Sequence, residues 1–98
     1  MEKTRKLMNN NKTSLINGYE VLILDPGKYQ FGFGKFKCKM IIENMYKIKA
    51  HINMFGNHES KHAPELRIEP DSKYPIILTL HKCEVIVNCE KEIREFIK

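Results

Sequence analysis

Apolar and charged residues alternate strictly in the middle of the chain. Lysines occupy the odd positions between residues 35 and 40 and apolar residues the even ones, and the alternation returns between residues 47 and 52. Because successive side chains of a β-strand point to opposite faces, each stretch would carry one basic and one apolar face. The pattern predicts a β-hairpin, with a long strand over residues 29–42 and another over 46–55.

The connection over residues 43–45 sets the register of this hairpin. A three-residue loop opposes Met40 with Ile48, whereas a two-residue loop would oppose Met40 with Lys47 and mix apolar with charged side chains. Asn44 tolerates the left-handed conformation that three-residue loops commonly need. We therefore predict the three-residue loop, which places like charges opposite each other on the basic face.

The remaining elements follow from shorter patterns. Further strands are predicted over residues 19–24, 65–69, 76–80 and 83–87, and a helix over residues 88–98. Residues 1–14 are polar and basic and are predicted to form a flexible arm, which leaves 15–98 as a single domain. No internal repeat is apparent. The fold class is α+β, an antiparallel β-meander or small barrel of about six short strands with one C-terminal helix.

The composition indicates the cellular compartment of the chain and the charge of its partner. The chain has 98 residues, and none of its apolar runs approaches the ~20 residues of a membrane helix. Its three cysteines lack the spacing of a disulfide framework, so we predict a cytoplasmic protein. Eleven basic and five acidic residues give residues 1–64 a charge of +6, whereas six basic and seven acidic residues give residues 65–98 a charge of −1. This asymmetry favours an anionic partner.

The basic face of the predicted hairpin is the candidate binding site. Its residues are Lys35, Lys37, Lys39, Lys47, Lys49 and His51, with Phe31 and Phe33 as stacking or anchoring groups. Aromatic residues beside cations on a sheet are typical of single-strand nucleic-acid binders, and an acidic protein surface would fit the same charges. A third interpretation is a solvated surface that Glu65 and Glu69 partly neutralise.

A literal H-E-x-x-H sequence at residues 58–62 raises the alternative of a zinc enzyme. In zinc peptidases this motif lies on a helix, which brings both histidines to one face. Here Gly56 precedes the motif and Pro64 follows it, so barely one helical turn would fit. His81, Cys83 and Cys89 also lack the paired short spacing of structural zinc sites. We predict no catalytic residue, metal or cofactor, and keep the zinc enzyme as an alternative.

One stretch suggests a family. From Lys47 onward the chain resembles a group of small uncharacterised bacterial proteins that carry a P-P-H-F-H stretch, which residues 63–67 would match. Glu65 and Arg67 stand in place of the two histidines. The resemblance implies a strand, a polar loop, two strands and a helix, and any function that needs those imidazoles would be absent.

These observations predict a small non-enzymatic binding protein. Small, lysine-rich chains without catalytic motifs are typical of phage or mobile-element inhibitors of host defence nucleases, of which anti-CRISPR proteins are an example. The first alternative is a direct RNA- or DNA-binding protein. The oligomeric state is left open.

Overall fold

The computed structural model describes residues 11–25, 27, 30–56, 63–69 and 71–98. Within these ranges the fold is α+β, with two antiparallel sheets of three and two strands and four helices. The strands are β1 (Lys12–Ile16), β2 (Tyr19–Leu24), β3 (Phe31–Gly34), β4 (Leu66–Ile68) and β5 (Ile76–Leu78). The helices are α1 (Lys35–Glu43), α2 (Met45–Phe55), α3 (Leu80–Asn88) and α4 (Glu90–Phe96). The predicted class is confirmed, but the described residues do not have the layout of six strands and one helix.

A tight hairpin joins β1 to β2. Asn17 and Gly18 have φ angles of 53° and 83°, and Ile16 pairs with Tyr19 on either side of them. Two consecutive left-handed residues give the turn that matches the twist of a hairpin, and Asn-Gly is its preferred sequence. Residues 12–14 therefore belong to a strand, and their assignment to the arm is wrong. Residues 1–10 of the predicted arm lie outside the described residues.

Of the predicted hairpin over residues 29–42 and 46–55, residues 31–34 are a strand as predicted. The hairpin itself is wrong, because residues 35–43 and 45–55 fold as α1 and α2. The apolar residues that decide this recur every three or four positions, as helical packing requires, and are Cys38, Ile41, Met45, Ile48, Ile52 and Phe55. Asn44 separates the two helices with a φ of −111° rather than a left-handed value. Its side-chain amide donates to the carbonyl oxygen of Met40 at 2.8 Å, so it ends a helix instead of turning a hairpin.

The predicted strand over residues 83–87 is also wrong. The hydroxyl of Thr79 accepts a hydrogen bond from the backbone N–H of Lys82 at 3.2 Å and so caps the start of α3. Cys83 and Ile86, three residues apart, are fully buried on its inner side. The predicted C-terminal helix is confirmed as α4, which begins at Glu90.

The chain contains an internal repeat, although the sequence analysis found none. A first unit, β2–β3–α1–α2, is followed by a second unit, β4–β5–α3–α4, and each unit is a hairpin followed by two helices. A single residue breaks each helix pair: Asn44 has φ −111° and ψ 18°, and Cys89 has φ −109° and ψ 16°. The two units thus share element order, strand pairing and the geometry of the helix break.

The repeat extends to the buried side chains. From Phe31 to Asn53, each residue corresponds to the one 45 positions later (83 minus 38, for example). The identical pairs are Lys37 with Lys82, Cys38 with Cys83, Ile41 with Ile86, Ile48 with Ile93, and Ile52 with Ile97. Most of these identities are core positions, so the two units bury their helices in the same way.

The two units share one core. Helix α1 packs on α4 and α2 packs on α3, and exchanging the units exchanges these two pairings. Buried side chains from both units form one continuous apolar cluster. The outward-facing positions of the helices are therefore the ones that packing leaves free to vary.

Asn11, just before β1, ties the first sheet to the second helix pair. Its amide nitrogen lies 3.3 Å from the sulfur of Cys89 and 3.1 Å from a carboxylate oxygen of Glu92. Its carbonyl oxygen accepts a hydrogen bond from the backbone N–H of Asp25 at 2.8 Å. Among the described residues, β1 has no counterpart in the second unit.

Candidate interaction surface

The lysines of the predicted basic face lie on helices, which separates them. Residues two apart share a strand face but are about 200° apart around a helix. Lys35 and Lys39, four residues apart, share the exposed face of α1, whereas Lys37 points away from them and is half-buried. Lys47 and Lys49 are likewise on different sides of α2, so the continuous row of charges does not form.

Two of the lysines are already paired within the molecule. The Lys35 ammonium lies 3.4 Å from the carboxylate of Glu20 and 5.5 Å from the centre of the Phe96 ring. The Lys49 ammonium lies 3.2 Å from the carboxylate of Glu90, so this ion pair joins the two units. Arg94 and Lys49 together lower the pKa of Glu90, chiefly through the hydrogen bond from Arg94.

Lys39 and Lys47 are the exposed lysines of the predicted site that have no ion pair within the described residues. Each lies near an exposed aromatic ring on its own helix. Phe36, three residues before Lys39, is 67% exposed, and Tyr46, beside Lys47, is also 67% exposed. The Lys47 ammonium is 5.9 Å from the centre of the Tyr46 ring.

The structure places the predicted histidine on the inner side of α2. His51 is 9% exposed, and its Nε2 lies 2.9 Å from the carbonyl oxygen of Pro64, to which it must donate. Its ring centre is 4.9 Å from that of Phe55. Its predicted position on the basic face is therefore wrong, because a helix turns it into the interior.

The predicted stacking residues also face inward. Phe31 and Phe33 pair with the buried residues Leu24 and Leu22 across the sheet and pack against the core. Their rings touch edge to face with centres 5.9 Å apart. The ammonium of Lys82, from the second unit, lies 5.3 Å from the centre of the Phe31 ring. These two aromatic rings therefore do not flank the exposed lysines.

The cysteines are poorly placed for nucleophilic or metal chemistry. All three are buried and unpaired by disulfides. Burial raises the pKa of Cys38 and of Cys83 to about 11, and burial also raises the pKa of Cys89, partly opposed by its hydrogen bond from Asn11. The described residues contain no group of three metal-ligating side chains. The H-E-x-x-H sequence at residues 58–62 lies outside the described residues.

The exposed side of α2 carries an apolar ridge. Tyr46, Ala50 and Met54 follow one another at four-residue intervals, and all three are exposed, Met54 by 69%. Residues at this spacing form a continuous row along a helix surface. The sequence analysis missed these residues because it placed them on a strand, although their spacing alone would have indicated a helical row.

The second unit provides an internal control for this surface. Where the first unit has Tyr46 and Ala50, the second has Lys91 and Glu95. Helices α1 and α2 carry five lysines and one glutamate, a charge of +4, whereas α3 and α4 carry three basic residues and four glutamates, a charge of −1. Since the buried cysteine and isoleucine positions of the helices are the same in both units, packing at these positions does not dictate the basic and apolar surface of the first unit.

Comparison with protein-family models, curated proteins and solved structures gave no match. The resemblance to bacterial proteins with a P-P-H-F-H stretch stays a prediction. None of the helices in the described ranges has the length and apolar character needed to span a bilayer.

Proposed function

We propose that this is a non-enzymatic binding protein that docks an anionic partner on the outer surface of α1 and α2. The observation that carries the proposal is the contrast between the two units. They share their core pattern, yet the first helix pair has a charge of +4 and the second −1. A charge excess that packing does not require points to recognition.

An acidic protein fits this surface better than nucleic acid. The lysines point in several directions and two of them are ion-paired, so they do not form a track that follows a phosphate backbone. Lys39 and Lys47, which have no ion pair within the described residues, lie on the same helices as the exposed rings of Phe36 and Tyr46. Aromatic anchors with a charged rim are typical of protein interfaces.

Charge reversal tests the proposal. In a pull-down from nuclease-treated lysate, we expect the wild-type chain to recover one stoichiometric acidic protein, and the Lys39→Glu/Lys47→Glu variant to lose it. The Lys73→Glu/Lys91→Glu variant is the matched control, because it changes the net charge equally at exposed positions outside α1 and α2. Equal recovery by all three proteins would contradict the proposal.

Direct nucleic-acid binding is the second candidate, favoured by the contact between Lys47 and the Tyr46 ring. In that case an oligonucleotide would bind with an affinity that falls with salt by a slope of about 0.7–0.9 per phosphate contacted. The inhibitor of a host defence nuclease stays a prediction, supported by small size and lysine content. Identification of the captured protein would test it.

A further inference from the structure

We infer that the partner contributes an acidic amphipathic α-helix, which packs across the ridge of Tyr46, Ala50 and Met54 on α2. The inference rests on the proposed function and specifies the partner of the same surface. The inference follows from the shape of the ridge, from the comparison of α2 with α4, and from the positive charge of the first helix pair.

The shape of the ridge suits a helix. Rows of residues four apart on one helix pack into the grooves between such rows on another. The row from Tyr46 to Met54 extends over about 12 Å, or roughly two turns. The small side chain of Ala50 leaves a gap between the two larger ones, where a ridge of the partner helix can cross.

The fold does not need this ridge. Ile48 and Ile93 are both fully buried at equivalent positions of α2 and α4, so the two helices share this part of their inner face. The outer face of α4 nevertheless carries Lys91 and Glu95. Exposed Tyr46 and Met54 are unfavourable in water and are consistent with a surface that a partner covers.

The positive charge around the ridge favours an acidic helix over other partners. Lys47 lies at the border of the ridge, and the helix pair that bears it has a charge of +4. A second copy of the chain would bring another helix pair of charge +4 against this face, whereas an acidic helix would complement it. Nucleic acid fits less well, because Ala50 and Met54 offer neither a ring for stacking nor a hydrogen-bonding group.

The test measures binding of a fluorescent peptide to the full chain. The probe is an amphipathic leucine–glutamate helix of about five turns, and the control peptide has the same composition with its leucines distributed all around the helix. We expect the wild-type protein to bind the probe and to bind the control at least about tenfold more weakly. No binding of the probe, or equal binding of both peptides, would overturn the inference.

The decisive variant replaces two residues of the ridge by those at the equivalent positions of the second unit. Tyr46→Lys/Ala50→Glu leaves the net charge unchanged and installs the residues that α4 carries at the same positions. We expect probe affinity to fall about tenfold, with the helical circular dichroism unchanged. If this variant unfolds, Met54→Ser removes one end of the ridge at an exposed position and should also weaken binding.

The outcomes separate the inference from the proposed function. If Lys39→Glu/Lys47→Glu weakens binding while Tyr46→Lys/Ala50→Glu does not, the charged surface stands and the helical ridge is wrong. If neither variant changes binding of the probe, the charged surface and the helical ridge are both wrong as its binding site. If the protein binds labelled poly(dT) and not the probe, nucleic acid replaces the acidic helix.

Discussion

At the scale of single residues, the buried thiols show how the repeat constrains chemistry. Cys38 and Cys83 occupy equivalent positions on α1 and α3, and both are almost completely buried. A buried thiolate loses its hydration, so the neutral form is favoured and the pKa of each thiol rises from 9.0 to about 11. Both cysteines therefore act as small apolar core residues at neutral pH.

This shift predicts an alkaline loss of stability. The folded thiols keep their protons when the unfolded ones ionise, so the stabilising effect is complete below pH 9 and is lost as pH rises towards 11. At about pH 10 each thiol would lower the free energy of unfolding by about 1 kcal/mol. Urea unfolding at neutral and alkaline pH measures this loss.

The single variants Cys38→Ala and Cys83→Ala separate the thiols from other titrating groups. Each variant should be less stable than wild type at neutral pH, because it leaves a cavity. Each should also lose less stability than wild type between neutral and alkaline pH. An identical pH dependence in wild type and both variants would contradict the assigned cause.

At the scale of the elements, the sequence predicted β2, β4, β5, α4 and, as part of a longer strand, β3, but it did not predict β1, α1, α2 or α3. Over a window of six residues, lysine and apolar residues alternate as in a strand, and this short-range pattern predicts two strands. Over twenty residues the spacing of Cys38, Ile41 and Ile48 is helical, and burial of these residues determines the outcome. The Asn17-Gly18 pair is a typical sequence of a two-residue hairpin turn, and it would have predicted β1 as the strand that pairs with β2.

The assignment of helices as strands affects only part of the predicted binding site. The basic character of Lys39 and Lys47 follows from composition, and the structure leaves both exposed. Which residues lie side by side depends on the element that carries them, so the grouping with Lys37 and His51 could not survive the change from strand to helix. The apolar ridge depends on the same geometry.

Close packing between β2 and β3 gives a prediction at this scale. A Cβ atom on Gly32 would lie 2.8 Å from the backbone oxygen of Leu22, whereas one on Gly34 would meet only the oxygen of Glu20, at 3.8 Å. We expect Gly32→Ala to lower the free energy of unfolding by about 1–3 kcal/mol, and Gly34→Ala by less than about 1 kcal/mol. Urea unfolding measures both, and equal effects would contradict the packing argument.

At the scale of the whole molecule, the two units share one apolar core. The apolar cluster runs through both, and the Lys49–Glu90 ion pair links them at the surface. Because this pair is partly exposed, the shared core rather than the ion pair must supply most of the coupling. Neither unit has a separate set of buried side chains.

The shared core predicts a single unfolding transition. Ile48→Ala in the first unit and Ile93→Ala in the second should each lower the free energy of unfolding by about 2–5 kcal/mol. In each variant, circular dichroism and tyrosine fluorescence should give coincident transitions in urea, because loss of either half of the core unfolds both. Two separate transitions, with only one moved by each substitution, would show that the units fold independently.

The repeat has a further consequence for assembly. The contacts of α1 with α4 and of α2 with α3 join two units of one chain, but nothing in these contacts requires the units to belong to the same molecule. Two chains could exchange second units and bury the same core twice, which is domain swapping. The closed and exchanged forms would then have the same interior, and their balance would depend on protein concentration and on the segment between α2 and β4.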